Sequence, residues 1–311
     1  MKLYEKWYAD YVEDRYLSHL TADELNDRFR YLFENVSTLT DTGQIGIRGG
    51  QKGDSLEILE LFSHALKEQW FRDPEFRPSF LKDAAVPKPR TEIADRLVDV
   101  RNRIVASDPH LLKFGKANYL EPAAHSGKLR VSLASTYDDP SLNLARKDSE
   151  QSLTFQIDSS GMTARNEDGV DLGPIHSAKF SLEVPDDYYV FCCSHTFDFR
   201  LFDDFDADSC LVIEDSHRFA EEFMGELSKV MRIKDRAYGP VQYIDPVRGA
   251  HHHFGEKRPI VQMAKHLRYF YQNEYRLVSV FDPDEGVAPD PHVDLVLSGL
   301  PEYSRLEELC P

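Results

Sequence analysis

The chain is short of cysteine, short of positive charge and free of long apolar runs, and each shortage removes a class of protein. Its 311 residues include 4 cysteines. These are Cys192, Cys193, Cys210 and Cys310; none forms a C-x-x-C pair, and adjacent cysteines rarely bridge each other. A disulfide scaffold is therefore excluded, and a reducing, cytoplasmic setting is expected. No apolar run approaches the roughly 18 residues that a membrane span requires. The opening Met1-Lys2-Leu3-Tyr4-Glu5-Lys6-Trp7 lacks the apolar stretch of a signal peptide. Lysine and arginine total 37 against 54 acidic residues, a formal net charge of −17. That balance opposes non-specific binding to a phosphate backbone, although it permits a local basic groove or a basic protein partner.

The apolar content is ample: 41% of residues are hydrophobic and 12% aromatic, enough to bury one large core or two ordinary ones. Residues 1–107 read as a helical domain. Thr21-Ala22-Asp23-Glu24 is a capping box ahead of Leu25, Phe29, Leu32 and Phe33 at helical spacing. Residues 54–71 supply a second helix, and Thr91 is placed to cap a third with Ile93, Leu97, Val100 and Ile104 on its apolar face. The texture changes near Ser107-Asp108-Pro109. Over 108–311 strands are expected at 111–114, 129–133, 152–157, 178–184, 188–194, 241–244, 268–281 and 292–298. A short helix ends at Gly127, Asp139-Pro140 is expected to start another, and 259–266 a helical turn. An amphipathic helix covers 216–232. The class is α+β, with no internal repeat and no low-complexity segment.

Several groups of residues are candidates for chemistry. In Tyr271-Gln272-Asn273-Glu274-Tyr275-Arg276, a strand places Gln272 and Glu274 on one face. A carboxylate in an aromatic strand is costly unless it is paired or lines a cleft, and Arg276 on that face offers an ordinary ion pair. Phe191-Cys192-Cys193-Ser194-His195-Thr196 closes an apolar strand with small polar groups; its cysteines read as strand residues rather than as a Cys–His nucleophile. Lys113 ends a strand ahead of a helix, where it can reach an anion or simply face solvent. His251-His252-His253, flanked by Gly249 and Gly255, cannot easily converge on one ion, so no metal is expected there. The run Asp198 to Asp208 lacks the glycine and terminal glutamate of a calcium loop and reads as a solvated turn.

The order of these pieces resembles the bacterial "domain of unknown function 2971" family over roughly residues 110–300. The resemblance is carried by Leu112-Lys113-Phe114 with Gly127 and Leu129, and by Thr136-Tyr137-Asp138-Asp139-Pro140 and Phe191-Cys192-Cys193-Ser194. Leu201-Phe202-Asp203-Asp204-Phe205, Cys210 to Glu214, Gln242-Tyr243 and Tyr271 to Val278 complete it. That order in turn looks like the ADP-ribosyltransferase fold, a split antiparallel β-sheet domain. The resemblance implies that Glu274 stabilises the positive charge built on ribose as the nicotinamide bond of NAD breaks. It further implies that Gln272 orients the attacking group, that Ser194, with Thr196 on the same face, holds ribose, that Lys113 meets ribose or diphosphate, and that Tyr137 stacks on nicotinamide. The family usually has Arg or His where Lys113 stands, and Ser-Thr-Ser where Ser194-His195-Thr196 stands.

The implied activity is transfer of ADP-ribose from NAD, as substrate, to a protein or nucleic acid by a toxin or anti-phage defence effector. An antitoxin or other regulatory partner is an expected companion, and a membrane is not. An NAD glycohydrolase using the same site, and a non-catalytic interaction protein on the same fold, are the alternatives.

Overall fold

The Thr21 capping box forms: the Glu24 amide donates to Thr21 Oγ1 at 3.3 Å, and the Thr21 amide donates to the Glu24 carboxylate at 2.9 Å. Two otherwise orphaned amides are satisfied at once, so the helix starts where the sequence says. The computed structural model describes residues 2–48, 54–78, 84–107, 110–142, 145, 151–157, 162–175, 178–248, 260–282 and 289–309. Its first part contains α1 (Leu3–Glu13), α2 (Ala22–Val36), the small hairpin β1 (Ser37–Leu39) and β2 (Ile45–Ile47), α3 (Asp54–Arg72) and α4 (Ala94–Ala106). The hairpin is an addition to the expected helices. Thr91 does not cap α4; residues 91–93 make a 3₁₀ turn, and Ile93 takes the N-cap position without a side-chain bond.

Leu25, Phe29 and Leu32 of α2 pack on Ile58, Leu61 and Ala65 of α3, and Val247 and Leu267 from the later part of the chain share this core. Two polar anchors strengthen the junction. Arg28 holds Asp245 in a bidentate pair at 2.7 and 2.6 Å. Asn35 donates to the carbonyls of Leu267 and Arg268 and accepts from the Tyr271 amide. Helix α2 is thus bonded directly to the segment that precedes Glu274.

The later part begins with β3 (Leu111–Gly115), α5 (Ala117–Ser126), β4 (Lys128–Leu133), β5 (Ser152–Ile157), β6 (Thr163–Arg165), β7 (Asp171–Pro174), β8 (Ala178–Glu183) and β9 (Tyr189–Ser194). It continues with α6 (Arg200–Asp204), β10 (Ser209–Ile213), α7 (Ser216–Val230), β11 (Ile233–Pro240), β12 (Gln242–Ile244), β13 (Ala264–His266), β14 (Glu274–Phe281), β15 (His292–Val296) and β16 (Ser304–Glu308). An eight-stranded sheet runs β11-β14-β9-β3-β10-β16, with β4 and β15 attached beside β9. All of its pairings are antiparallel. One face packs Phe191, Leu211 and Leu277 on Phe219, Phe223 and Leu227 of α7. The other packs Leu112, Phe114 and Val212 on Leu97, Val100 and Ile104 of α4. The class is therefore mixed α+β with an antiparallel sheet, and none of the described helices is long and apolar enough to cross a membrane.

The sheet forks along one edge of β9. Tyr189 and Val190 pair with Leu133 and Ser132 of β4, whereas at the other end Ser194 pairs with Leu112 of β3. Strands β3 and β4 diverge between these points.

Four expectations are corrected. Asp139-Pro140 starts no helix. Asp139 Oδ1 accepts from the Ser141 amide at 2.8 Å, so the side chain that would cap a helix closes a turn instead. Within the described part of 259–266, residues 261–263 form a 3₁₀ turn and 264–266 a strand paired in parallel with β12. The long strand over 268–281 is broken: residues 267–272 are a 3₁₀ turn, Asn273 is left-handed at φ 42°, and β14 starts at Glu274. Asparagine tolerates that conformation better than most residues, which explains the break there. The acidic run is no solvated turn, since Asp198 accepts from Thr38 Oγ1 and the Arg200 amide at 2.8 Å each and Asp204 pairs with Arg200 at 2.7 Å. His251 to His253 lie outside the described residues.

Candidate functional site

A cavity of about 690 Å³ opens in the fork, and Lys113, Tyr137, Ser194, Gln272 and Glu274 all line it. Thr196 does not. Strand β9 ends at Ser194, so the alternation that would put both residues on one face stops there; Thr196 is exposed, and its hydroxyl accepts from Asn273 Nδ2 at 3.0 Å.

Register fixes the rest. Glu274 stands directly opposite Ser194, and Ser194 directly opposite Leu112, so β14, β9 and β3 meet at one point. Directly opposed residues share a face. Lys113, one residue on from Leu112, therefore leaves the sheet on the opposite side. Its Nζ lies 4.8 Å from the Phe191 ring centre and donates to the Cys192 carbonyl at 2.8 Å. That carbonyl lies in the stretch of β9 from which β3 and β4 diverge.

Glu274 is 5% exposed. Lys265 Nζ donates to its Oε2 at 2.8 Å, and Arg276 Nε donates to its Oε1. Burial alone raises a carboxyl pKa, but the Arg276 and Lys265 charges outweigh it and hold Glu274 well below the usual carboxylate range. The Glu274 amide donates to the Tyr243 hydroxyl at 2.8 Å, which fixes the backbone at the start of the strand. Arg276 was the partner anticipated from its i+2 position. Lys265 was not: it sits on a three-residue strand with no local signature, and only the pairing of β13 with β12 brings it to Glu274.

Gln272 does not sit beside Glu274 by strand alternation, because the turn and left-handed Asn273 intervene. The two nevertheless reach the same cavity. Gln272 is 2% exposed and donates from Nε2 to the Ala145 carbonyl at 2.8 Å. Tyr137, within the 3₁₀ turn Ala134–Asp138 after β4, also lines the cavity.

Cys192 and Cys193 also border the cavity, but burial pushes the Cys193 thiol up to about 12, so it stays protonated and poorly nucleophilic. His195 directs Nδ1 to the His110 carbonyl at 3.2 Å. The mouth carries Lys128, Arg130 paired with Asp294 at 3.0 Å, and Tyr119, which is 73% exposed. Among the described residues no group of three His, Cys, Asp or Glu side chains converges as a metal site. What the arrangement offers is a buried carboxylate, ionised at neutral pH, beside a hydroxyl and an amide, in a cavity of ligand size. Comparison with protein-family models, curated proteins and solved structures finds no significant match to this chain.

Proposed function

We propose that the cavity binds NAD as substrate and that the protein is an ADP-ribosyltransferase, acting in the cytoplasm as a toxin or anti-phage effector on a protein or nucleic acid. The supporting observation is the placement of ionised Glu274 opposite Ser194, on the wall of a cavity that Gln272, Lys113 and Tyr137 also line. In this reading the forked antiparallel sheet is ADP-ribosyltransferase-like, and the family resemblance extends over residues 110–300. A fixed carboxylate stabilises positive charge on the ribose as nicotinamide leaves. Each carboxylate oxygen has two lone pairs, so Oε1 and Oε2 can each accept one more hydrogen bond beyond those from Arg276 and Lys265. Ser194 is positioned to bond ribose, and Lys113 brings positive charge to the cavity for the ribose or diphosphate. An antitoxin or other regulatory partner belongs to the same proposal.

One observation favours a second reading, a non-catalytic binding protein on this fold. Two buried cations already neutralise Glu274, which weakens the field it offers to a developing cation. Labelled NAD distinguishes the readings when incubated with purified protein, with and without cell lysate, beside Glu274→Ala and Ser194→Ala. Transfer of label to a macromolecule, lost in both variants, supports the transferase. Nicotinamide release without a labelled acceptor supports a glycohydrolase at the same site. Absence of release under every condition rejects the enzymatic reading.

A further inference from the structure

A second cavity of about 590 Å³ lies behind Gln272, bordered by Arg200, Asp204 and Tyr271, and Ala145 borders both cavities. Arg200 is 2% exposed. Its Nε donates to Asp204 at 2.7 Å, its Nη2 to the Ala85 carbonyl at 2.8 Å, and its Nη1 to the Glu34 carbonyl at the end of α2. The same guanidinium lies 3.8 Å from the Tyr271 ring centre. Burial first, then the Asp204 charge, keeps Tyr271 a phenol. A phenol oxygen can accept while its proton points elsewhere, so toward an N–H donor the Tyr271 oxygen is an acceptor. Gln272 Nε2 approaches that oxygen at 3.4 Å and the Ala145 carbonyl at 2.8 Å.

Ala145 O can only accept, so chemistry decides which end of the Gln272 amide faces it. A reversed amide would set two oxygens against each other. With both N–H groups directed at Ala145 and Tyr271, Oε1 is the polar atom left for the cavity. We propose that Arg200, Asp204 and Tyr271 are positioning residues that lock the Gln272 amide with its oxygen toward the cavity. Gln272 then acts as an acceptor only, and the group it recognises is an N–H or O–H donor. The proposal rests on the transferase reading only in taking that donor for the attacking group, such as a guanidinium, an amide or an exocyclic amine.

Side-chain amide NMR of ¹⁵N-labelled protein tests the lock without reference to activity. The Gln272 pair is assigned by its loss in Gln272→Leu. In the wild type both protons exchange with solvent at least roughly tenfold more slowly than those of a free glutamine amide. In Tyr271→Phe the proton facing residue 271 shifts and exchanges faster, while the one on Ala145 O does not. Free-amide exchange in the wild type overturns the proposal and requires no variant. So does an unchanged pair in folded Tyr271→Phe. A kinetic arm uses NAD with agmatine as a guanidine donor. There Tyr271→Phe lowers transfer to agmatine roughly tenfold but nicotinamide release into water by less than about twofold. Equal loss of both overturns the positioning role. If neither protein releases nicotinamide the transferase reading fails, and amide exchange still decides the placement of Gln272.

Discussion

Replacing Glu274 by glutamine keeps the shape of the side chain and removes its charge. In the native protein the side chains of Glu274 and Lys265 are each 5% exposed and that of Arg276 is 0% exposed. Glu274→Gln leaves two buried cations against a neutral amide, and breaking a buried pair from one side costs about 3–5 kcal/mol. For a chain of 311 residues each kcal/mol moves the melting temperature by about 1.5 °C, so a fall of roughly 4–8 °C is expected. Differential scanning calorimetry at pH 7 measures it. The folded carboxyl titrates well below its unfolded value of about 4.3, so the deficit persists from neutral pH down to that value and shrinks as pH falls further toward the folded pKa. Lys265→Met combined with Glu274→Gln removes one stranded cation and recovers part of the loss, a coupling of about 0.5–3 kcal/mol. A melting shift under about 2 °C for Glu274→Gln refutes the buried triad. The same number bears on function, because lost activity at Glu274 is interpretable only below the variant's own melting point.

Two further perturbations probe the scaffold. Gly127 closes α5 at φ 70°, and a Cβ there would lie 1.8 Å from the Leu297 carbonyl oxygen. Gly127→Ala is expected to cost at least about 1–3 kcal/mol in a urea melt, and a midpoint equal to the wild type's contradicts this packing. His64 is buried, with Nε2 at 3.1 Å from the Trp7 carbonyl and Nδ1 at 3.3 Å from the Tyr16 hydroxyl; burial, then the Arg248 charge, lowers its pKa to about 4. Its contribution is complete above the unfolded pKa of about 6.5 and is lost as pH falls toward the folded value, at about 1.4 kcal/mol per pH unit. Urea midpoints at successive pH values should show this slope, reduced in His64→Gln, and identical slopes in the two proteins exclude His64 as its source.

The elements legible in the sequence are those whose signals are local. The Thr21 capping box, the α7 stripe and the Gly127 stop each depend on residues within a turn or two, and each forms as read. Strands 111–115 and 189–194 were legible because β-branched, aromatic and apolar residues cluster there. Local pattern misled where two local preferences compete. The run from Arg268 to Phe281 carries the aromatic and apolar residues of one strand, yet Asn273 takes a left-handed turn whose carbonyl accepts from the His195 amide and whose side chain bonds Thr196. Asp139 spends its carboxylate on a turn rather than on a helix cap.

Sequence alone determined the α+β class and most helix and strand positions; that Lys113, Ser194, Gln272 and Glu274 belong together was implied only by the family resemblance. Periodicity, capping and composition act over a few residues and are written in the chain. Tertiary structure alone decided that the sheet forks along β9, that Lys113 reaches the cavity from the opposite face, and that Thr196 stays outside. It also decided that Lys265 and Arg276 share Glu274, and that Arg200, Asp204 and Tyr271 stand behind Gln272. These facts depend on register and on contacts between residues far apart in sequence, such as Arg200 with Glu34 and Tyr271 with Asn35. A buried charge needs its partner in space, and no pattern over neighbouring residues says which distant strand will bring it.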